Sequence, residues 1–249
     1  MFLYGRNSVF ERLKRNPASI EKVYLHDNFS VPQIEQLIKT NNIVCQRLPF
    51  NQLSKIKPAP DTQGIIARVG NFKCPSFKDL LNCEPSRKLT LIFLDRIYDP
   101  QNLGAIIRTA ACFGGFALVI PKFKACAVND TVLHVASGGE NHIAISMVSN
   151  LSNAIISAKK RGYWIMGACA QDDSENINRV EIPFPLGLIL GSEGKGIRYG
   201  VDKHIDLRAR IPMQGAALSF NVTIACAIFC HEISKSRIAI THKGCITGS

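Results

Sequence analysis

Apolar residues recur along the first 70 positions with helical spacing and strand spacing in turn, which predicts a small α/β unit. Helical spacing over residues 8–15, 31–40 and 50–56 predicts three helices. Runs of β-favouring residues between them predict strands at Lys22–His26, Ile43–Leu48 and Gly64–Val69. We expect these six segments to fold together as one compact N-terminal domain, residues 1–70.

A linker is predicted at residues 71–88, where the periodic pattern stops. Gly70, Pro75 and Pro85 interrupt this stretch, and only one helical turn is expected inside it. The remaining residues, 89–249, then form a second and larger domain.

From Leu89 onward, strand-like and helix-like segments alternate, which predicts a parallel sheet with helices on its faces. The run LTLIFLD at 89–95 is apolar at nearly every position, as in strands that are buried on both faces. Further strands are predicted at 116–120, 143–148, 163–168, 186–190 and 205–209, with helices at 102–113, 132–137 and 151–161. Residues 236–249 are interpreted as a frayed, basic tail.

The net charge of +11 indicates that this α/β protein binds a polyanionic partner. Residues 1–88 hold 14 of the 30 Lys and Arg residues but only 7 of the 19 Asp and Glu residues. Such a basic surface is typical of nucleic-acid binding. The first third of the chain is therefore the better candidate for capturing RNA or DNA.

The nine cysteines are scattered without C-x-x-C pairs. Cys226 and Cys230 share a helix face and His231 follows, but a zinc site would need further ligands at suitable spacing, so no metal is expected. Buried free thiols in a reducing cytosol are the favoured interpretation. Because no apolar run approaches the ~18 residues of a membrane span and no signal-peptide pattern is seen, we expect a cytoplasmic protein without a membrane segment.

Polar residues follow the first strand of the second domain, in LDRIYDPQNLGAIIRTAACFG at 94–114. Open α/β sheets bind ligands at this carboxyl edge of their strands. Asn102 is interpreted as a cap that acts from the loop at the helix entrance. Arg108 lies six residues later, roughly 240° around the helix, so the two side chains do not share a face. The alternative for Arg108 is a surface arginine that holds a neighbouring carboxylate.

A second candidate loop is LILGSEGKGI at 188–197, with three glycines in six residues. The glycines let backbone amides approach a ligand and permit positive φ angles. The spacing matches neither a P-loop nor G-x-G-x-x-G. Glu193 at the tip would repel phosphates, which favours a ligand of positive or amine character. A plain glycine hairpin is the alternative.

The third candidate is IPMQGAALSFNVTIACAIFCHEI at 211–233. A tight loop leads through Ser219 and Asn221, both of which are N-cap residue types, into a run with helical spacing at Ile224, Ile228 and Phe229. Polar side chains and unpaired amides concentrated at a helix entrance suit a ligand. A capped core helix without a ligand is the alternative.

In this order, D-P-x-N-x-G-x-x-x-R, G-S-E-G-x-G and P-M-x-G-x-x-x-S-x-N-V resemble the SpoU family of RNA ribose 2′-O-methyltransferases. The N-terminal unit, from YGRNSVFERL to QGIIARV, looks like the small RNA-binding domain of the branch that modifies guanosine in bacterial 23S rRNA. The resemblance implies a parallel-sheet α/β catalytic domain with a C-terminal trefoil knot (SPOUT-like), and a ribosomal-protein-L30e-like N-terminal domain. It also implies an S-adenosylmethionine pocket in the knot, an rRNA substrate and a homodimer that completes the active site.

Carried over position by position, the resemblance makes Arg108 the main catalytic residue. Its catalytic partners are then Asn102, Glu193, Ser219 and Asn221. The cofactor is expected to contact Gly191, Ile211 and Phe220, largely through their backbone, together with Leu190, Met213 and Gly196. The chain departs from the family's S-L-N-V-S pattern at Phe220 and Thr223, for which we expect retained binding with altered packing.

Methyl transfer from a sulfonium to a ribose hydroxyl is an in-line displacement, so alignment supplies much of the catalysis. Family mechanisms propose arginine as the base, but a guanidinium group stays protonated. Our hypothesis is that Arg108 grips the adjacent phosphate and stabilises the developing alkoxide, while Asn102, Ser219 and Glu193 orient Arg108 and the ribose.

Two alternatives remain open: a methyltransferase that acts on tRNA or another rRNA site, and a non-catalytic RNA-binding assembly factor. A dinucleotide oxidoreductase is disfavoured because the chain lacks G-x-G-x-x-G and the acidic residue that follows it.

Overall fold

The computed structural model describes residues 1–59, 61–82, 89–171, 173–216 and 218–246, with side chains described as far as residue 239. The N-terminal elements are β1 (Phe2–Tyr4), α1 (Arg6–Arg15), β2 (Ile20–His26), α2 (Pro32–Thr40), β3 (Cys45–Leu48), α3 (Phe50–Ile56) and β4 (Ile65–Val69). They form a four-stranded sheet in the order β1-β4-β2-β3, with β2 and β3 parallel and the other pairs antiparallel. The predicted α/β unit is confirmed, and β1 is the strand that the prediction missed, since three residues carry no detectable period.

The second sheet has seven strands, and its neighbouring pairs are all parallel, as predicted. The strands are β5 (Thr90–Leu94), β6 (Phe116–Pro121), β7 (Ala144–Val148), β8 (Trp164–Ala168), β9 (Glu175–Asn176), β10 (Leu186–Leu190) and β11 (Leu207–Arg210). Their order across the sheet is β7-β6-β5-β10-β8-β11-β9. The helices are α4 (Phe77–Leu81), α5 (Pro100–Phe113), α6 (Asp130–Ala136), α7 (Leu151–Lys159), α8 (Tyr199–Asp202) and α9 (Val222–Ile246).

The core lies on both faces of this sheet. Strands β5, β6 and β10 are buried at every position, which explains their continuous apolar runs. Helices α5, α6 and α9 cover one face, and α4, α7 and α8 contribute to the core on the other. The resulting three layers leave the carboxyl ends of the central strands accessible for a site.

Helix α4 is the helical turn predicted inside the linker. Its N-cap is Ser76, whose hydroxyl accepts a hydrogen bond from the backbone N–H of Asp79 at 3.1 Å. Pro85 and the rest of 83–88 lie outside the described residues. The division of the chain into 1–70, 71–88 and 89–249 stays a prediction.

Helix α9 corrects the prediction of a frayed tail, because it continues to Ile246; residues 247–249 lie outside the described part. Arg237, within the predicted tail, is partly buried and donates to Thr90 Oγ1 at 2.6 Å and to the Gly114 carbonyl at 3.3 Å. Burial lowers the pKa of its guanidinium group. In a hydropathy pattern, a segment rich in basic residues looks like a solvated tail even when those residues have buried partners. The length of α9 therefore depends on tertiary contacts that the pattern does not show.

The buried face of α9 follows the predicted helical run at Phe229 but not at Ile224. Ile224 is half exposed. The residues of α9 that pack into the core are Val222, Cys226, Phe229, Cys230 and Ile233. Cys226 and Cys230 are free and buried, as predicted, with their sulfur atoms 3.8 Å apart. Their mutual contact and burial raise the pKa of the Cys226 thiol.

The N-terminal domain packs directly on the second domain. Leu133 of α6 lies within the N-terminal hydrophobic core. Arg12 of α1 donates to Glu140 Oε1 at 3.1 Å, with both side chains almost fully buried. Burial raises the pKa of Glu140 although Arg12 and Asn141 act in the opposite direction. The contact between the domains therefore combines apolar packing with a buried ion pair.

Within the described residues, no helix is long and apolar enough to cross a membrane.

Candidate active site

Segments that follow β10 and β11 meet the start of α9 around a cavity of about 830 Å³. Leu190, Val222, Ala225 and Phe229 supply apolar lining, whereas Glu193, Asp202 and Arg210 bring charge to its wall. All the positions predicted to contact the cofactor line this one cavity: Leu190, Gly191, Gly196, Ile211, Met213 and Phe220.

The glycine loop turns back on itself so tightly that backbone atoms form part of the cavity wall. The Gly196 N–H donates to the Ser192 carbonyl at 2.9 Å, and the two residues form an isolated antiparallel bridge. A Cβ atom on Gly191 would lie 2.3 Å from the carbonyl carbon of Gly196, closer than atoms can approach. The glycine at 191 is therefore required by the backbone contact.

Asp95, directly after β5, fixes the far end of this loop and was missed by the sequence analysis. Its carboxylate is fully buried and accepts from the Arg198 backbone N–H at 2.8 Å and from Arg198 Nε at 2.7 Å. Neighbouring Arg96 donates to the Gly196 carbonyl at 3.3 Å. The signal available in the sequence was a carboxylate that ends a fully apolar strand, which requires a buried partner.

A cluster of three side chains joins the three predicted motifs beside the cavity. Glu193 Oε1 accepts from Asn221 Nδ2 at 2.6 Å and from Asn102 Nδ2 at 3.3 Å. Asn221 Nδ2 also lies 3.3 Å from Asn102 Oδ1, to which it donates. Residues separated by more than 90 positions thus share one hydrogen-bonded arrangement. Ser219 lines the cavity itself.

Helix capping at this site follows the prediction for one asparagine and contradicts it for the other. Asn221 caps α9, because its Oδ1 accepts from the Thr223 N–H at 2.8 Å and from the Thr223 hydroxyl at 2.6 Å. Asn102 lies inside the first turn of α5 and does not cap it. The cap is Asp99, which accepts from the Gln101 N–H at 2.9 Å. Pro100 at the first helical position starts α5 earlier than predicted.

Arg108 is the one predicted site residue that lies away from this cavity. Its side chain is exposed and lines a separate groove between α1 and α5. The part of the chain that the structure describes offers it no hydrogen bond or ion pair, so the surface ion pair considered as an alternative is not observed. Its separation from Asn102 agrees with the prediction that the two side chains do not share a face of the helix.

Asp202 and Cys169, which line the cavity, belong to a second charged arrangement. Arg208 donates to both carboxylate oxygens of Asp202, at 2.8 and 2.7 Å, and these bonds lower the pKa of Asp202. Cys169 lies 3.6 Å from Arg208, and burial raises the pKa of its thiol. This part of the cavity is held by a bidentate pair, so its shape is fixed before a ligand enters.

The lining fits S-adenosylmethionine on chemical grounds. Backbone at the Gly191–Gly196 contact leaves space that a Cβ would fill, apolar side chains suit an adenine ring, and the Glu193 carboxylate suits a cationic centre. Across the described ranges, no group of three or more His, Cys, Asp or Glu side chains is arranged to hold a metal ion.

Two family models match the chain, one for each of the two sheets and the helices that pack on it. The family model for SpoU rRNA methylases matches residues 89–231, and the model for the substrate-binding domain of RNA 2′-O ribose methyltransferases matches residues 2–73. The chain therefore belongs to the SpoU family of RNA ribose 2′-O-methyltransferases.

Relatives align over nearly the whole chain. A Staphylococcus saprophyticus protein with the provisional name TrmH family tRNA/rRNA methyltransferase is 31% identical over 246 residues, which is 97% of this chain and 98% of the relative. The 23S rRNA (guanosine-2′-O-)-methyltransferase RlmB of Nitrosomonas europaea is 31% identical over 252 residues, which is 98% of this chain and 94% of RlmB.

A solved structure of the same family shares the fold. The SpoU methyltransferase AviRb of Streptomyces viridochromogenes, crystallised in complex with S-adenosylmethionine, superposes with a TM-score of 0.79 at 19% identity, covering 96% of this chain and 91% of AviRb. S-adenosylmethionine is the cofactor of the SpoU family.

Proposed function

We propose that this protein transfers a methyl group from S-adenosylmethionine to the 2′-hydroxyl of a guanosine in 23S rRNA. The observation that carries the proposal is the cavity under the Gly191–Gly196 loop, with the hydrogen-bonded cluster of Asn102, Glu193 and Asn221 beside it. The similarity to the Nitrosomonas 23S rRNA enzyme along nearly the full chain supports the choice of target.

The cofactor would be held by Gly191, Gly196 and Ile211 through their backbone, with Leu190, Met213 and Phe220 providing apolar contacts. When bound, S-adenosylmethionine supplies an electrophilic methyl group. Phe220 is 43% exposed, so a bound adenosyl group would cover part of its ring. The larger Phe side chain in place of the family's Leu is compatible with this open position.

The chain's own polar residues would align the ribose. Glu193 fixes the amides of Asn102 and Asn221, so their orientation is set before RNA binds. Ser219 lies at the cavity wall and would donate to or accept from the ribose hydroxyls. These residues act by positioning the hydroxyl in line with the methyl group, which accounts for much of the rate enhancement in such displacements.

Arg108 would complete the site of a second copy of the chain. Within one chain it lies on a different face of α5 from Asn102 and lines another groove. A symmetric homodimer would allow each Arg108 to reach the neighbouring chain's cavity. There the guanidinium group would bind the adjacent phosphate and stabilise the alkoxide that develops as the hydroxyl loses its proton.

The expected folds of the C-terminal segment and of the N-terminal domain are part of the same proposal. We infer that the segment from β10 to α9 forms a C-terminal trefoil knot around the cofactor, as expected for a SPOUT-like protein. The N-terminal domain would be a ribosomal-protein-L30e-like RNA-binding module, which its match to the substrate-binding family model supports.

The proposal is tested by titrating the purified protein with S-adenosylmethionine in a calorimeter and then offering tritium-labelled cofactor with separate 23S rRNA and tRNA. The RNA is taken from cells that lack this gene. We expect binding, label in 23S rRNA, and one new phosphodiester resistant to alkali, because 2′-O-methylation blocks alkaline cleavage.

Label in tRNA alone would exclude the rRNA target and leave the enzyme class intact. Cofactor binding without label in either RNA would favour an assembly factor.

A further inference from the structure

A second groove, of about 490 Å³, lies between the two domains of the same chain and outside the cofactor cavity. Helix α1 forms one wall, and helix α5 with the turn after α6 forms the other. The groove residues that carry the argument are Glu11, Lys14 and Arg15 on the first wall and Arg108 and His142 on the second. It is therefore a site to which both domains contribute.

The groove is electropositive. Lys14, Arg15 and Arg108 are exposed cations, and Glu11 is the only carboxylate among the described residues that line it. Glu11 is already engaged, with Oε2 2.8 Å from His142 Nε2 and Oε1 3.6 Å from Lys14 Nζ. Although burial acts to raise it, the pKa of Glu11 is lowered by His142 and Lys14. The guanidinium groups of Arg15 and Arg108 have no such counter-ion within the described residues.

The two walls are held together by contacts that do not require a ligand. The Arg12–Glu140 pair is buried directly behind the groove. A Cβ atom on Gly138 would lie 2.5 Å from Glu11 Cβ, and one on Gly139 would lie 3.0 Å from the Cα of Arg108. Two glycines thus allow the turn after α6 to touch both helices. The groove is preformed, so binding there costs little ordering entropy.

We propose that this groove binds the phosphodiester backbone of the substrate RNA next to the ribose that is methylated at the neighbouring chain's cavity, with Lys14 and Arg15 as positioning residues. This inference rests on the proposed function and adds a contact for the N-terminal domain. Guanidinium groups match the planar, bidentate geometry of phosphate oxygens, and Lys14 adds a point charge. The N-terminal domain then contacts RNA beside Arg108, so it helps to place the reacting nucleotide.

The test compares the full-length protein with the K14Q/R15Q variant, using protein-free 23S rRNA transcribed in vitro as the probe. Filter binding is measured over a series of salt concentrations. Each lost phosphate contact reduces the slope of log affinity against log salt by about 0.7 in single strands and about 0.9 in a duplex. We therefore expect a reduction of about 1.4 to 1.8 and at least tenfold weaker binding at low salt. The KM for RNA rises in methyl transfer, while calorimetric affinity for S-adenosylmethionine is unchanged.

The matched control is K39Q/K55Q, which removes two exposed lysines from the last turns of α2 and α3 in the same domain. We expect this control to retain the wild-type salt slope, and K14R/R15K to restore most of the binding. Equal loss in K14Q/R15Q and the control, or a wild-type slope in K14Q/R15Q, overturns the groove proposal. Failure of the unaltered protein to label any RNA overturns the proposed function itself, and the two results are distinguishable.

Discussion

Gly191 shows how a single residue type can be dictated by a backbone contact distant from its own strand. Replacing it with alanine places a Cβ atom 2.3 Å from the Gly196 carbonyl carbon, so the loop must move away from the cavity. We expect Gly191→Ala to weaken S-adenosylmethionine binding by roughly tenfold or more, about 1.4 kcal/mol, measured by calorimetry. Gly200→Ala is the control, because the space around Gly200 is open and it lies in α8. Equal affinities for the two variants would exclude the steric explanation.

Asp95 is a second single residue that holds the glycine loop, in this case through its charged carboxylate. Asp95→Asn keeps the volume but loses the carboxylate that accepts two hydrogen bonds from Arg198. We expect a loss of about 1–3 kcal/mol in the free energy of unfolding, together with weaker cofactor binding, because the end of the glycine loop is released.

Asp206→Asn provides a matched control for this effect. Asp206 also accepts from a backbone N–H, that of Ile165, and from a cation, Lys159, but it does not line the cofactor cavity. It should lose stability and retain the wild-type calorimetric affinity. Unchanged cofactor affinity in Asp95→Asn would show that the loop is positioned without the carboxylate.

At the scale of elements, helix α5 separates two functions by its own geometry. Asn102 in the first turn donates to Glu193, which lines the cofactor cavity, whereas Arg108 lines the groove beside α1. A rigid helix cannot turn both side chains to one site, since residues six apart lie roughly 240° around it. The helix therefore directs the two side chains to different surfaces of the chain.

The packing of α1 on the second domain depends on the buried Arg12–Glu140 pair. Glu140→Ala leaves the Arg12 guanidinium buried without its carboxylate, and we expect a loss of about 3–5 kcal/mol in the free energy of unfolding. The double variant Arg12→Met, Glu140→Leu should be considerably less destabilised, since no uncompensated charge remains. Urea unfolding of Arg12→Met, Glu140→Leu and their double variant, which carry the same two substitutions, measures the coupling. Additive losses would mean that the pair does not join the domains energetically.

At the scale of the whole molecule, the position of Arg108 leads us to predict that two inactive variants restore activity when they form a mixed dimer. Arg108→Ala and Asn221→Ala should each abolish methyl transfer. Mixed, unfolded together and refolded, they should recover about a quarter of wild-type activity, because half of randomly paired symmetric dimers contain one intact composite site. The measurement is tritium transfer to 23S rRNA at equal total protein.

No recovery on mixing, with heterodimers demonstrated by differently tagged chains, would place Arg108 in the site of its own chain. Two copies of the same variant, refolded alone, serve as the baseline.

The sequence by itself determined the parallel sheet, because strands buried on both faces must be apolar throughout, as β5, β6 and β10 are. It also located the three loops of the candidate site, because ligands bind at the carboxyl ends of strands in such sheets and polar residues are concentrated there. Buried free thiols at Cys226 and Cys230 and the cap at Asn221 were likewise predictable from local pattern.

Only the tertiary structure decided which of those residues meet. The shared contact of Glu193 with Asn102 and Asn221, the role of Asp95 and the length of α9 all depend on partners far away in the chain, which no local period records. The same is true of Arg108. Its sequence motif groups it with Asn102, but the direction of its side chain from α5 places it in a groove built by both domains.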